Sequence, residues 1–329
     1  MQINKVRTQP GDFSSCFKRG LRSFYKSKVS NLGILLLLSF MLMSFSAFPQ
    51  LRTLSLEPDS VYNPKRVRVV AATTGALYLG AMAGLYQLWY KDYSLTAIHS
   101  FNDNNEWLKM DKVGHVGSAY YLGKMGIGLL KWAGVNNTKS AWYGGLMGAF
   151  FQTSVEVFDG VSPAWGFSWG DVTANFAGSA LLIAQQLAWE EQRIQFKFSF
   201  HQTRYSYIRP DQLGNSFIEN VFKDYNGQTY WLSANIYSFL PPSSRFPKWL
   251  NIAAGYGAEG MTGAVENEPG YGYTRYRQFY LAPDIDLSKI KTRSRLVNTL
   301  FYTFGFIKFP LPGLEIRQPG KTRLLPVAF

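Results

Sequence analysis

The chain has 329 residues, of which 47% are hydrophobic, 16% aromatic and 17% charged, enough apolar material for one large or two small cored domains and too much for general disorder. A single cysteine excludes a disulfide framework, a cysteine-based zinc site and CxxC redox chemistry. The formal charge of +13 divides into +6 over residues 1–31, none over 32–50, −1 over 51–192 and +8 over 193–329. Nearly half of it therefore belongs to a targeting segment, and no nucleic-acid partner is implied.

Residues 32–48, LGILLLLSFMLMSFSAF, are uncharged and follow Lys18, Arg19, Arg22, Lys26 and Lys28, the layout of an export signal or short signal anchor. Residues 1–50 are read as that segment, and the chain is expected to leave the cytoplasm. Cys16 precedes the apolar run, the wrong side for a lipid-accepting cysteine.

Asn63-Pro64 is a helix start, because Asn caps free backbone donors and Pro is tolerated in the first turn. From Val69 to Tyr90 no residue is charged, a length that crosses a bilayer or forms the central helix of a soluble bundle. Three further helices are predicted over 110–132, 139–158 and 170–190, each rich in Gly, Ala and aromatics, with Lys124 a charge inside the first of them. After Arg193 the texture changes. FKFSF, QTYWLSANIYSFL, LNIAAGYG and RQFYLAPDIDL read as strands, with Phe279, Leu281, Ile285 and Leu287 alternating against Gln278, Tyr280, Asp284 and Asp286. The expected fold is α+β: a Gly/Ala-rich antiparallel bundle of about four membrane-associated helices over residues 51–195, then a β-containing region over 196–329. Four or five strands fall short of a closed bacterial barrel, which favours a packed sheet.

Asp111 and His115 share a face at the start of the 110–132 helix, Glu156 and Asp159 close the 139–158 helix, and Asp171 and Asn175 open the 170–190 helix. Short antiparallel connections bring those three ends together, with Lys112 at hand to pair with acids and the 91–108 link delivering His99, Asp103 and Glu106. Carboxylates around a histidine can bind a divalent metal, for which His115, Glu156, Asp159 and Asp171 are the candidates; they can perform acid/base chemistry; or they can form a satisfied polar network that fixes helix register.

The motifs DKVGH (Asp111 to His115), EVFD (Glu156 to Asp159), GFSWGD (Gly166 to Asp171) and NFAG (Asn175 to Gly178) resemble the YfiM-like family of predicted periplasmic lipoproteins, a domain of unknown function, and more distantly the VanZ-like membrane proteins. The resemblance covers Trp107 to Leu181. It implies an envelope location and a small helical bundle, and no established reaction; lipid anchoring is not carried over, for want of a cysteine after the leader.

Two motifs fail on context. Gly166-Phe-Ser168-Trp-Gly170 matches the nucleophile elbow, but no strand precedes it, and Ser168 with Asp171 three residues on reads as a helix cap. Gly255 to Gly260 matches G-x-G-x-x-G but reads as strand and turn. Lys289, Lys291, Arg293 and Arg295 form a basic cluster, a solvated face or a contact for anionic lipid. The function expected is a cell-envelope, membrane-associated role, structural or ligand-binding, centred on the His/carboxylate cluster, with membrane lipid as partner. The alternative is a membrane-embedded enzyme acting on a lipid or polyisoprenoid head group.

Overall fold

The computed structural model describes residues 58–328, so the leader expected over 1–50 lies outside the described residues. Helix α1, Pro64–Leu85, starts where Asn63 accepts hydrogen bonds from Lys65 N and Arg66 N, and it runs on through a wider π turn over Tyr86–Tyr90. Helices α2 (Met110–Trp132), α3 (Gly145–Gly160) and α4 (Trp169–Trp189) pack on one another, α2 in the middle. Two glycines set their spacing. A Cβ on Gly148 of α3 would lie 1.9 Å from the Ala119 carbonyl of α2, and one on Gly178 of α4 would lie 2.1 Å from the Val116 carbonyl, so α2 is gripped backbone to backbone on both sides. Helix α1 stands apart from this trio: of its described residues only Val70 and Met82 are buried. The expected bundle of about four helices is thus a tight trio with a mostly exposed companion, which touches it through Val67 and Val70 near its own start and through Tyr78, whose hydroxyl donates to Ser154 Oγ at 3.0 Å and whose ring meets Phe150 and Phe151 of α3.

The rest of the described chain builds a six-stranded antiparallel meander, order β1 to β6, which makes the fold α+β. Its strands are β1 (Ile194–Phe200), β2 (Gln228–Asn235), β3 (Leu250–Glu259), β4 (Tyr276–Ile285), β5 (Leu311–Gln318) and β6 (Lys321–Ala328). Helix α5 (Phe217–Lys223) lies between β1 and β2, and α6 (Arg295–Phe304) between β4 and β5. The G-x-G-x-x-G stretch lies in β3 and ends on Gly260, whose φ of +82° makes the turn. Residues 306–308 lie along the outer edge of β1, where Phe198 N–H donates to Phe306 O and its carbonyl accepts from Lys308 N.

The register sorts the two faces of the sheet by chemistry. One rung crosses all six strands as Phe196, Leu232, Ala254, Leu281, Leu314 and Leu324; the next positions place Lys197, Trp231, Gly255, Tyr280, Glu315 and Arg323 on the opposite face. The polar face is the buried one: Lys197, Ser233, Asn235, Asp284 and Glu315 are sealed around Trp231. Lys197 Nζ lies 2.6 Å from Asp284 Oδ2, and Glu315 pairs with Arg317 and Arg323. The apolar face is covered at β1 and β2 by α2, where Tyr120, Ile127, Leu182 and Phe196 form one core. Farther along, Ile252, Phe279, Leu281, Ile316 and Leu324 are exposed. A sheet of a water-soluble domain shows the opposite arrangement.

Candidate functional site

The three helix ends meet as antiparallel connectivity requires. Asp111, Lys112 and His115 stand on the first turns of α2, which is launched by three consecutive non-glycine residues with left-handed backbone, Trp107, Leu108 and Lys109 (φ 45°, 52° and 69°). Packing holds this turn: Trp107 N–H donates to Ala264 O, and the Trp107 ring lies 5.4 Å from that of Tyr225. Ser168 caps α4 by accepting from Asp171 N, which aims the Asp171 side chain back towards α2.

Lys112 is the internal cation. Its Nζ lies 2.6 Å from Asp103 Oδ1, 2.8 Å from Asp171 Oδ1 and 3.3 Å from Asp111 Oδ2. The contact to Asp171 is off the hydrogen-bonding direction, so Asp171 Oδ1 is buried without a hydrogen bond. Burial opposes the charge on Lys112, but its ion pairs outweigh that and hold it above the ordinary lysine range. His115 Nδ1 is 3.0 Å from Asn175 Oδ1, which sets the proton on Nδ1 and turns Nε2 towards the acids. Nε2 then faces Asp171 Oδ1 at 3.6 Å, Asp111 Oδ1 at 3.9 Å and Glu156 Oε1 at 3.9 Å. These separations are too long for hydrogen bonds and suit atoms that share one cation.

Burial pushes Glu156 up to about 9, with repulsion from Asp171 and Asp159 adding to it. Burial likewise raises Asp171 to about 7, helped by Asp111, and Asp159 to about 6 against the opposing hydrogen bond from Tyr90. Five carboxylates, Asp103, Asp111, Glu156, Asp159 and Asp171, thus crowd around one lysine and one imidazole.

Of the residues named from the sequence, Asp111, Lys112, His115, Glu156, Asp171 and Asn175 come together directly. Asp159 sits at the margin, its Oδ1 accepting from Tyr90 OH at 2.6 Å. His99 is elsewhere, exposed, with Nε2 2.8 Å from the Trp165 carbonyl. Ser168 Oγ donates to Asp103 Oδ1 at 2.7 Å while it caps α4, so its hydroxyl is held in the helix-cap role that the sequence suggests. Tyr225, reaching over from the chain between α5 and β2, donates to Asp111 Oδ1 at 2.7 Å; a partner 114 positions away leaves no sequence signal. The ligand atoms of Asp111, His115 and Asp171 all lie within 4.8 Å of one another.

Residues 100–185 match the family model described as predicted periplasmic lipoprotein (DUF2279). The matched stretch carries the whole cluster except Tyr90 and Tyr225, and it stops before β1. No curated protein and no solved structure matches the chain.

Proposed function

We propose that this is an exported cell-envelope protein, seated on a membrane, that binds one divalent cation through Asp111, His115 and Asp171. The observation that carries the reading is the convergence of those three ligand atoms within 4.8 Å inside a group of carboxylates that outnumbers its cations. One imidazole nitrogen with carboxylate oxygens suits Mn²⁺ or Zn²⁺. Asn175 serves the second shell by holding Nδ1–H, so that Nε2 presents its lone pair. Glu156, beside Nε2, is placed to add a further oxygen.

Export is supported by the family description over residues 100–185 and by the apolar run over 32–48; likeness to the YfiM-like and, more distantly, VanZ-like proteins belongs to the same reading. Membrane seating is supported by two features. Helix α1 has 22 residues, and an 18-residue stretch of it has a mean hydropathy of 1.3 with only 11% of it buried, long and apolar enough to span. The sheet turns its leucines and phenylalanines outward and its charges inward, the sense expected of strands against lipid.

Calorimetric titration of the full chain in neutral detergent with MnCl₂ and ZnCl₂ tests the site. One ion per chain is expected, with affinity reduced at least 10-fold, roughly the second-shell loss or greater, in His115→Ala and Asp171→Asn and unchanged in Asp211→Asn. No saturable binding of either ion, or equal binding in all variants, refutes it. Carbonate extraction tests the seating: recovery of the mature chain in the supernatant removes that part of the proposal.

A further inference from the structure

At the other end of α2 the charge is reversed. Lys124 is 6% exposed, and its Nζ stands over the rings of Tyr121 and Tyr302 at 5.5 and 5.1 Å from their centroids. Among the described residues it makes no ion pair. Tyr302 of α6 is fixed there because its hydroxyl donates to the Lys124 carbonyl at 2.8 Å. Lys124 faces a cavity of about 360 Å³, walled by α2 and the end of α4 on one side and by the turn at Ser288 and helix α6 on the other. Lys131, Lys289, Lys291 and Arg295 also line it. The acids that face it are Glu190 and Glu191, and Glu191 is already held by Arg193 at 2.9 Å and Lys289 at 2.8 Å. Asp286 acts on Lys124 through space; its Oδ1 accepts from Ser288 while its buried Oδ2 has no hydrogen bond, and it makes no ion pair with Lys124 and is not among the lining residues. Among the described residues Lys131, Lys291 and Arg295 form no ion pair, so the cavity keeps an excess of positive charge.

A buried ammonium with no carboxylate in contact is costly: burial, the largest influence, pulls Lys124 down to about 8, with Lys197 pressing the same way and Asp286 opposing through space. An anion in the cavity offsets that cost. Phosphate fits better than a lone carboxylate, because a multiply charged tetrahedral group can be met from the floor by Lys124 and from the rim by Lys131, Lys291 and the forked guanidinium of Arg295. Gln195, Ser288 and Asn298 line the same space with polar side chains.

We infer that this cavity binds a phosphate group, with Lys124 at its floor and Lys131, Lys291 and Arg295 at its rim. It is separate from the cation site: His115 and the floor residue Lys124 are nine residues apart, about 14 Å of helix, and Lys291 and Arg295 lie outside the segment that the family model matches. Its phosphate can come from a free anion or from a lipid head group at the membrane surface.

The test uses the full chain in neutral detergent, titrated separately with inorganic phosphate and with dihexanoyl-phosphatidylglycerol. Saturable binding of at least one is expected. Phosphate alone identifies a soluble ligand, and phosphatidylglycerol alone identifies a lipid head group. Lys124→Met should weaken the positive titration at least tenfold. The exposed pair Lys291→Gln with Arg295→Gln should weaken it severalfold, and this pair decides the matter if Lys124→Met does not fold. MnCl₂ affinity should stay within twofold of wild type in both, which separates this site from the acidic one. Failure of both titrations, or wild-type binding by the folded variants, overturns the inference.

Discussion

Lys112 already does inside the acidic cluster part of what a bound metal would do. Its ammonium neutralises Asp103 and reaches Asp171, one of the three converging ligands. Removing it leaves buried carboxylates with only an imidazole among them, and Lys112→Met should cost about 3–5 kcal/mol in metal-free protein, the range for breaking a buried pair. The same change frees Asp171 for a metal. Added Mn²⁺ should therefore raise the melting temperature of Lys112→Met more than that of the wild type, by mass action on the folded state; an equal or smaller rise would show that the lysine and the ion do not compete. At this scale the sequence is informative wherever partners sit on helices joined by short turns. The spacings Asp111 to His115 and Asp171 to Asn175, with connections that force antiparallel neighbours, bring Glu156 to His115 without reference to coordinates. Tyr225 and Tyr90 are invisible to that logic, since their hydroxyls arrive from segments whose placement only tertiary packing decides.

The elements that carry the cluster are held by close backbone contact and by one strained entry. Gly178→Val forces side-chain atoms into the Val116 carbonyl, 2.1 Å from where the Cβ would begin. It should destabilise by about 1–3 kcal/mol or more, as overpacking does, and loosen the cation site with it, measured as lost Mn²⁺ affinity in whatever folded protein remains. Lys109 works the other way. Its side chain is exposed, and its φ of 69° costs an L-residue about 1–2 kcal/mol. Glycine removes that penalty and loses roughly 0.5–1 kcal/mol in chain entropy. Lys109→Gly should thus melt higher than the wild type, by the equivalent of about 0.5–1 kcal/mol, and a lower melting point would show that the turn is not strained. The long helices were legible because caps and uncharged runs bound them: Asn63, Ser168 and the span from Val69 to Tyr90 all lie where α1 and α4 begin or run. Strands β5 and β6 were not, because Pro312, Gly313 and Pro326 interrupt the alternation that marks a strand. Alternation in β4 revealed a strand and concealed its orientation, for the period of two is the same whichever face is buried.

Across the whole molecule, the sheet buries ions where a soluble sheet buries oil. Asp284 answers Lys197 at 2.6 Å and Lys308 at 4.0 Å, with all three side chains fully enclosed. Asp284→Ala should therefore cost about 3–5 kcal/mol, as the loss of one member of a buried pair does. Replacing Lys308 by Met in the same chain should recover part of that loss, read as a higher denaturation midpoint in detergent than the single variant; no recovery would mean that Lys308 is not electrostatically coupled to Asp284.

The covering of β1 by residues 306–308 has a consequence for the order in which the molecule assembles. Phe198 waits for backbone partners more than a hundred residues downstream, so during synthesis β1 remains an open edge until β2, β3 and β4 have all been made. Strands β2 to β4 can add to β1 one hairpin at a time, each pairing local in sequence. The stitch at Phe198 cannot, and it is the slow, long-range step. A chain still lacking residues 306–308 offers a strand edge to any neighbour, which makes the half-made sheet the species most in need of a chaperone.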